Sequence, residues 1–230
     1  MATVLEDCLG VTDGESVLIV TDPRKRAIAE ALVARARELG CETVLMEMSE
    51  REQHGVEPPP QVAAAMLACD VLIAPTSKSI SHTEARYAAT QKGIRAATMP
   101  DVTEDMMRRT MSADYAGIKR RSRVVADLLT AGTEVRVSTG AGTNVSFEIE
   151  GREGIADDGD LRRPGAFGNL PAGEGFIAPV EGRTNGRIVF DGSISPIGLL
   201  EEPLTVEVRD GFAVEFEGAK ATEFRSALEP

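Results

Sequence analysis

The side chains able to do chemistry in this 230-residue chain are few and fall in separate stretches. Glu174 stands between Gly173 and Gly175, just ahead of the apolar run Phe176-Ile177-Ala178-Pro179-Val180. Flanking glycines let a backbone, a substrate or a metal ion approach the carboxylate. A carboxylate entering an apolar stretch costs free energy unless it is paired, hydrogen-bonded or bound to a cation. Spacing alone leaves two readings, a cation-facing carboxylate and an exposed turn glutamate. The stretch Thr76 to Glu84 brings Ser77, Lys78, Ser79, Ser81 and His82 together. Ser–Lys pairs can be nucleophilic, but adjacency in sequence does not make Ser81 and His82 face each other, and Ser81 or Thr83 reads as a helix cap. His54 lies in a polar loop and reads as surface. Arg24-Lys25-Arg26 opens a helix and reads as a solvated first turn rather than an anion site. Gly140 and Gly142 lie between two strands, without the helix amides that a phosphate cradle needs, and read as a turn. No GxGxxG follows the first strand, so dinucleotide binding has little support.

The elements that must position these residues change character along the chain. Val17 to Val20 and Val71 to Ala74 are short apolar runs, the pattern of strands covered on both faces, and Ala96 to Met99 reads as a further strand. Between them Ile28, Leu32, Ala36 and Leu39 form one helical stripe closed by Gly40. Asp22-Pro23 reads as a helix start, and Thr103 caps a short helix carrying Glu104 and Asp105 in its first turn. Strand–helix alternation through residue 99 predicts an α/β domain with a parallel, Rossmann-like sheet and helices on both faces. Beyond residue 130 the period becomes two: Val135 and Val137, then Val145, Phe147 and Ile149. Leu204, Val206 and Val208 face Phe212, Val214 and Phe216 across Asp210-Gly211, a hairpin signal. The expected division is residues 1–130, α/β, and residues 131–230, mainly antiparallel β.

Composition narrows the function classes. Hydrophobic residues make up 42% and charged residues 27%, the proportions of a chain with a packed core. The net charge of -12 disfavours a nucleic-acid backbone or an anionic membrane surface as partner. Cys8, Cys41 and Cys69 form no CxxC pair, so neither a disulfide framework nor a zinc ribbon is expected, and a reducing cytoplasm fits. The first residues carry no basic and apolar signal pattern.

Three longer blocks carry a resemblance. Asn169-Leu170-Pro171-Ala172-Gly173-Glu174, then Ala178-Pro179-Val180-Glu181-Gly182, then Gly186-Arg187-Ile188-Val189-Phe190-Asp191-Gly192-Ser193 resemble the aminopeptidase T and aminopeptidase S family of dinuclear metallopeptidases. Glu57-Pro58-Pro59, Ser79 to Arg86, Thr98-Met99-Pro100 and Asp114-Tyr115 add to the likeness. The resemblance implies an amino-terminal α/β domain joined to a β-rich catalytic domain. It implies a metallo-aminopeptidase acting on the N-terminal residue of peptides, with two divalent ions (Zn, Co or Mg) and Glu174 as one metal ligand. Glu181 matches a recurring family glutamate with no assigned role. The family's other ligands, a second glutamate, two histidines and an aspartate, have no counterpart among these residues, whose two histidines are His54 and His82. The chain is therefore expected to be the amino-terminal part of such a hydrolase, with an incomplete site, retaining no metal and inactive alone.

Two other readings stand beside it. A dihydroxypyridine-type non-haem iron ring-cleaving dioxygenase resembles the same peptidases in overall fold, with a single iron and a different ligand set. A non-catalytic binding or oligomerisation remnant is the third. A homodimer is expected, because an unfinished β region exposes apolar surface.

Overall fold

The computed structural model describes residues 1–195 and 197–228. Contacts divide the chain into two units: Met1–Arg123 with Ala156–Gly175, and Val124–Ile155 with Phe176–Pro230. The division expected at residues 130/131 was continuous. The observed one returns residues 156–175 to the first unit.

The first unit is built on strands β1 (Ser16–Thr21), β2 (Glu42–Glu47), β3 (Val71–Thr76) and β4 (Arg95–Pro100). Helices α1 (Arg26–Glu38), α2 (Pro60–Met66) and α3 (Glu84–Gln91) connect them, and α4 (Glu104–Thr110) and the long α5 (Tyr115–Ala131) follow. Every pairing in the sheet is parallel, β1 lying between β2 and β3. The side-chain alternation of a strand explains why both faces are apolar. Val17 and Ile19 pack with Ile28, Leu32 and Ala36 of α1 in one core. Leu18 and Val20 pack with Val62 and Met66 of α2 and Ala85 and Ala89 of α3 in another. The parallel sheet with helices on both faces, expected from the alternating pattern, is present.

Local chemistry starts and stops the helices. Asp22 accepts a hydrogen bond from the Arg24 amide at 3.1 Å, Thr83 from the Arg86 amide at 3.3 Å and Thr103 from the Met106 amide at 3.1 Å. These bonds satisfy donors that a helix start leaves free. Gly40 ends the α1 turn at φ 85°, a conformation that strains residues with a side chain. Several short elements escaped the sequence reading, two of them in the first unit. Thr3–Cys8 is a short helical segment that buries Val4, Leu5 and Cys8. A fifth strand, introduced below, extends the parallel sheet.

The second unit holds the antiparallel sheet. Its strands β5 (Glu134–Ser138) and β6 (Asn144–Glu148) form a hairpin. The chain then runs through β7 (Ile155–Asp157), β8 (Phe167–Asn169) and β9 (Glu174–Phe176) before β10 (Thr184–Phe190) rejoins the sheet beside β6. Two short strands, β11 (Ser193–Ile194) and β12 (Gly198–Leu199), pair with each other. Strands β13 (Leu204–Arg209) and β14 (Phe212–Glu217) form the Asp210-Gly211 hairpin, with φ of 50° and 80° at its two central residues. The strand order is β14-β13-β10-β6-β5, antiparallel throughout. Helix α6 (Ala221–Leu228) closes one face by setting Phe224 against Phe190 and Phe216, ring centres 5.9 and 6.0 Å away. Among the described residues no helix is long and apolar enough to cross a membrane.

Candidate functional site around Glu174

Strand β8 pairs in parallel with β4, Thr98 opposite Asn169, so the segment leading to Glu174 leaves from the carboxyl edge of the parallel sheet. That edge is where open α/β sheets place ligands. A buried hydroxyl network marks it. The Thr98 hydroxyl donates to Asn169 Oδ1 at 2.5 Å and the Ser81 hydroxyl donates to the same oxygen at 3.0 Å. The hydroxyls of Ser81 and Thr98 are 2.8 Å apart, and Ser79 donates to Ser81 at 2.8 Å. Ser81 is thus not the helix cap; Thr83 takes that role, and Ser81 ties the β3–α3 loop to β4 and β8.

The loop from Asn169 to Glu174 is pinned along its length. The Leu170 amide donates to the Thr98 carbonyl at 2.9 Å, and the Leu170 side chain is buried in the core. The Ala172 amide donates to the Tyr115 hydroxyl at 3.4 Å, and the Gly173 amide to the Asp157 carbonyl at 3.0 Å. Gly173 has φ 144°, so here the glycine is a backbone requirement. Glu174 itself is solvent-exposed at the start of β9. Of the two readings that spacing left open, the exposed one describes its surface. Its neighbourhood, however, is not that of an isolated turn.

Asp157 on β7 is the residue that the sequence reading missed. Burial, reinforced by the charges of Glu174 and Asp158, pushes its carboxyl up to about 6. The rest of the acidic run is neutralised. Arg123 pairs with Asp158 at 2.8 Å, and Asp160 pairs with Arg162 at 2.7 Å and with Lys119. Among the described residues no cation pairs with Asp157. Asp157 also lines a cavity of about 280 Å³ with Arg123, Arg163 and Phe167. A larger cavity, about 620 Å³, is lined by Glu6, Asp7, Asp114, Lys119 and Asp160 and contains neither Asp157 nor Glu174.

The remaining candidates lie elsewhere. His54 accepts a hydrogen bond from the Ser79 amide at 3.1 Å, and His82 is exposed in the turn before α3. Glu181 is exposed and ion-paired with Arg152. Arg24 pairs with Glu50 at 3.2 Å and Lys25 with Asp101 at 2.9 Å, so the basic run is spent on ion pairs. Gly142 turns between β5 and β6, as its neighbours required. Among the described residues no group of three or more His, Cys, Asp or Glu side chains could hold a metal ion.

The fold and this edge define an α/β protein with a Rossmann-like parallel sheet and a separate antiparallel sheet. The chain belongs to the NicX family, described as 2,5-dihydroxypyridine 5,6-dioxygenase, whose model matches residues 1–229. A 2,5-dihydroxypyridine dioxygenase from Pseudomonas putida KT2440 has the same fold, with a TM-score of 0.80 at 18% identity over 98% of this chain and 69% of that one. Wild-type AmpT from Thermus thermophilus aligns less well, with a TM-score of 0.60 at 16% identity over 96% of this chain and 70% of that one. A sequence comparison with curated proteins found no match.

These findings overturn the aminopeptidase assignment. The family is a dioxygenase family, not a metallo-aminopeptidase, hydrolase or protease family. The physical reason is that one carboxylate after a Pro-Ala-Gly turn is equally compatible with one ion, with two or with none. It encodes neither the number of metals nor the reaction. The two-ion Zn, Co or Mg centre falls with the peptidase, while a metal cofactor in general agrees with the dioxygenase family.

Proposed function

We propose that the protein takes part in oxygen-dependent opening of a dihydroxylated pyridine ring, with non-haem iron as its metal. The family match over residues 1–229 carries this reading. In a cleavage between ring carbons 5 and 6, both atoms of O2 end in the product. The hydroxyl-bearing carbon 5 becomes a carboxyl group and carbon 6 becomes a formyl group on the ring nitrogen.

Glu174 is the residue we assign as an iron ligand. Support comes from its hard oxygen donor, its pinned loop at the carboxyl edge of the sheet, and the neighbouring Asp157 carboxyl that lacks a cation among the described residues. The described residues do not by themselves complete an iron centre. This chain's own contribution is to offer the Glu174 carboxylate, to hold its backbone in place through Tyr115, Asp157 and Thr98, and to keep a second carboxyl group beside it. A reducing cytoplasm is the compartment we propose, since Cys8, Cys41 and Cys69 are all free thiols.

The test is turnover of 2,5-dihydroxypyridine with Fe(II) under labelled O2, with a leucyl amide in a parallel assay. A ring-opened product carrying both labelled oxygens, lost by at least tenfold in Glu174→Gln, is the expected result. No consumption of the pyridine above an Fe(II)-only control, or hydrolysis of the amide instead, overturns the reading.

A further inference from the structure

Among the described residues strand β5 is an edge of the antiparallel sheet, and the geometry fixes what could pair with it. In the β5–β6 hairpin the Ile149 amide donates to the Thr133 carbonyl at 2.9 Å and the Thr139 amide to the Thr143 carbonyl at 3.1 Å. With Glu134 opposite Glu148 and Ser138 opposite Asn144, the odd-numbered residues Thr133, Val135, Val137 and Thr139 turn their amides and carbonyls toward β6. The even-numbered residues Glu134, Arg136 and Ser138 therefore turn theirs outward. A free row of donors and acceptors on an edge strand is a template for another strand.

We propose that β5 pairs antiparallel with β5 of a second copy of this chain, with Val135 on the two-fold axis. Only registers that match even residues with even residues use the outward groups. Two of the three central registers fail on charge, since one sets Arg136 against Arg136 and another Glu134 against Glu134. The register centred on Val135 sets Glu134 of each copy opposite Arg136 of the other. Both side chains lie on one face of the strand and pair at 2.9 Å within the single chain, with Arg136 80% exposed. On the opposite face Val137, 39% exposed, joins Val135 and Phe147 in an apolar strip that continues across the axis. The two five-stranded sheets then form one sheet of ten, a closed two-fold assembly.

Sedimentation and light scattering of the full chain test it. The wild type is expected to be a dimer. Arg136→Glu and Glu134→Arg each place like charges across the axis and are expected to weaken the dimer at least tenfold. The double variant Glu134→Arg/Arg136→Glu restores complementarity and is expected to recover it, which a general loss of folding does not do. Val135→Cys provides a second readout. Directly opposed residues of a non-hydrogen-bonded pair have Cα atoms about 4.5 Å apart, so mild oxidation is expected to give a covalent dimer. Val137→Cys, which does not meet itself across the axis, is expected to give none. A wild-type monomer at high concentration, or a dimer indifferent to Arg136→Glu, overturns the proposal.

Discussion

Asp157 shows how much a single carboxyl depends on its surroundings. Its sequence neighbours Asp158 and Asp160 are anchored by Arg123, Lys119 and Arg162, and the guanidinium of Arg162 holds Asp160 well below the ordinary carboxylate range. Asp157 has burial and like charge instead, and its carboxyl rises from 3.8 to about 6. A raised pKa means that the folded state binds the proton more tightly than the unfolded one. Stability from this group is therefore greatest below pH 3.8, declines as pH rises toward 6, and is fully lost above it. Asp157→Asn removes the charge, and because the group is partly solvated the gain is put at about 1–2 kcal/mol. Urea unfolding at pH 8 is expected to show that gain, shrinking to nothing near the acid end. An equal gain at both ends of the range would mean that the effect is not electrostatic. None of this was legible from the run Asp157-Asp158-Gly159-Asp160, because sequence does not say which of three aspartates finds a cation.

Elements set the next scale. Asp22 is almost fully buried at the carboxyl end of β1, and its side chain joins two connections at once. It accepts from the Arg24 amide in the short 3-10 turn Pro23–Lys25 that leads into α1, and from the Ser77 amide at 2.5 Å and hydroxyl at 2.9 Å just after β3. Asp22→Ala leaves those donors unmet in a buried place, a loss of roughly 2–3 kcal/mol. Asp22→Asn, which keeps an acceptor, is expected to lose less than half as much. Chemical denaturation of the two variants checks the difference, and equal losses would remove Asp22 as a clamp. The cap half of this role was readable from Asp22-Pro23. The Ser77 half was not, since it joins residues 55 positions apart. Strand β8 escaped for a related reason. Phe167-Gly168-Asn169 is three residues long, carries no alternation, and becomes a strand because β4 offers it an open edge.

At the scale of the molecule, two units and three thiols decide how the protein behaves in solution. Cys8 is buried, and desolvation with the charges of Asp7, Asp160 and Asp158 pushes its thiol up to about 12; burial takes Cys69 to about 11 and raises Cys41 as well. The thiolate is the reactive form. A disulfide reagent at pH 7 is therefore expected to label the native protein slowly and all three cysteines at once after denaturation. Rapid labelling of the folded chain would mean that the first unit opens far more often than its core packing allows. The same packing explains why the division into units was only partly foreseen. Residues 156–175 are rich in glycine and charge and have no period of their own, so nothing local assigns them to either sheet. Leu161 and Leu170, each almost fully buried in the core that also holds Val17, Ile73 and Met99, assign them to the first unit.

What the chain alone determined is what neighbours in sequence can settle. The apolar runs Val17–Val20 and Val71–Ala74 must be covered on both faces, the caps at Asp22, Thr83 and Thr103 must start helices, and Asp210-Gly211 must turn, because each depends on residues a few positions apart. The block ending in Glu174 was visible for the same reason, but its chemistry was not. Tertiary structure decided that Thr98, Ser81 and Asn169 share one hydrogen-bond network, that Asp157 sits within the field of Glu174, and that β5 lies at an edge with its even-numbered residues facing out. Those are meetings between distant segments, and a side chain's charge state and partners follow from what packing brings to it rather than from what precedes it in the chain.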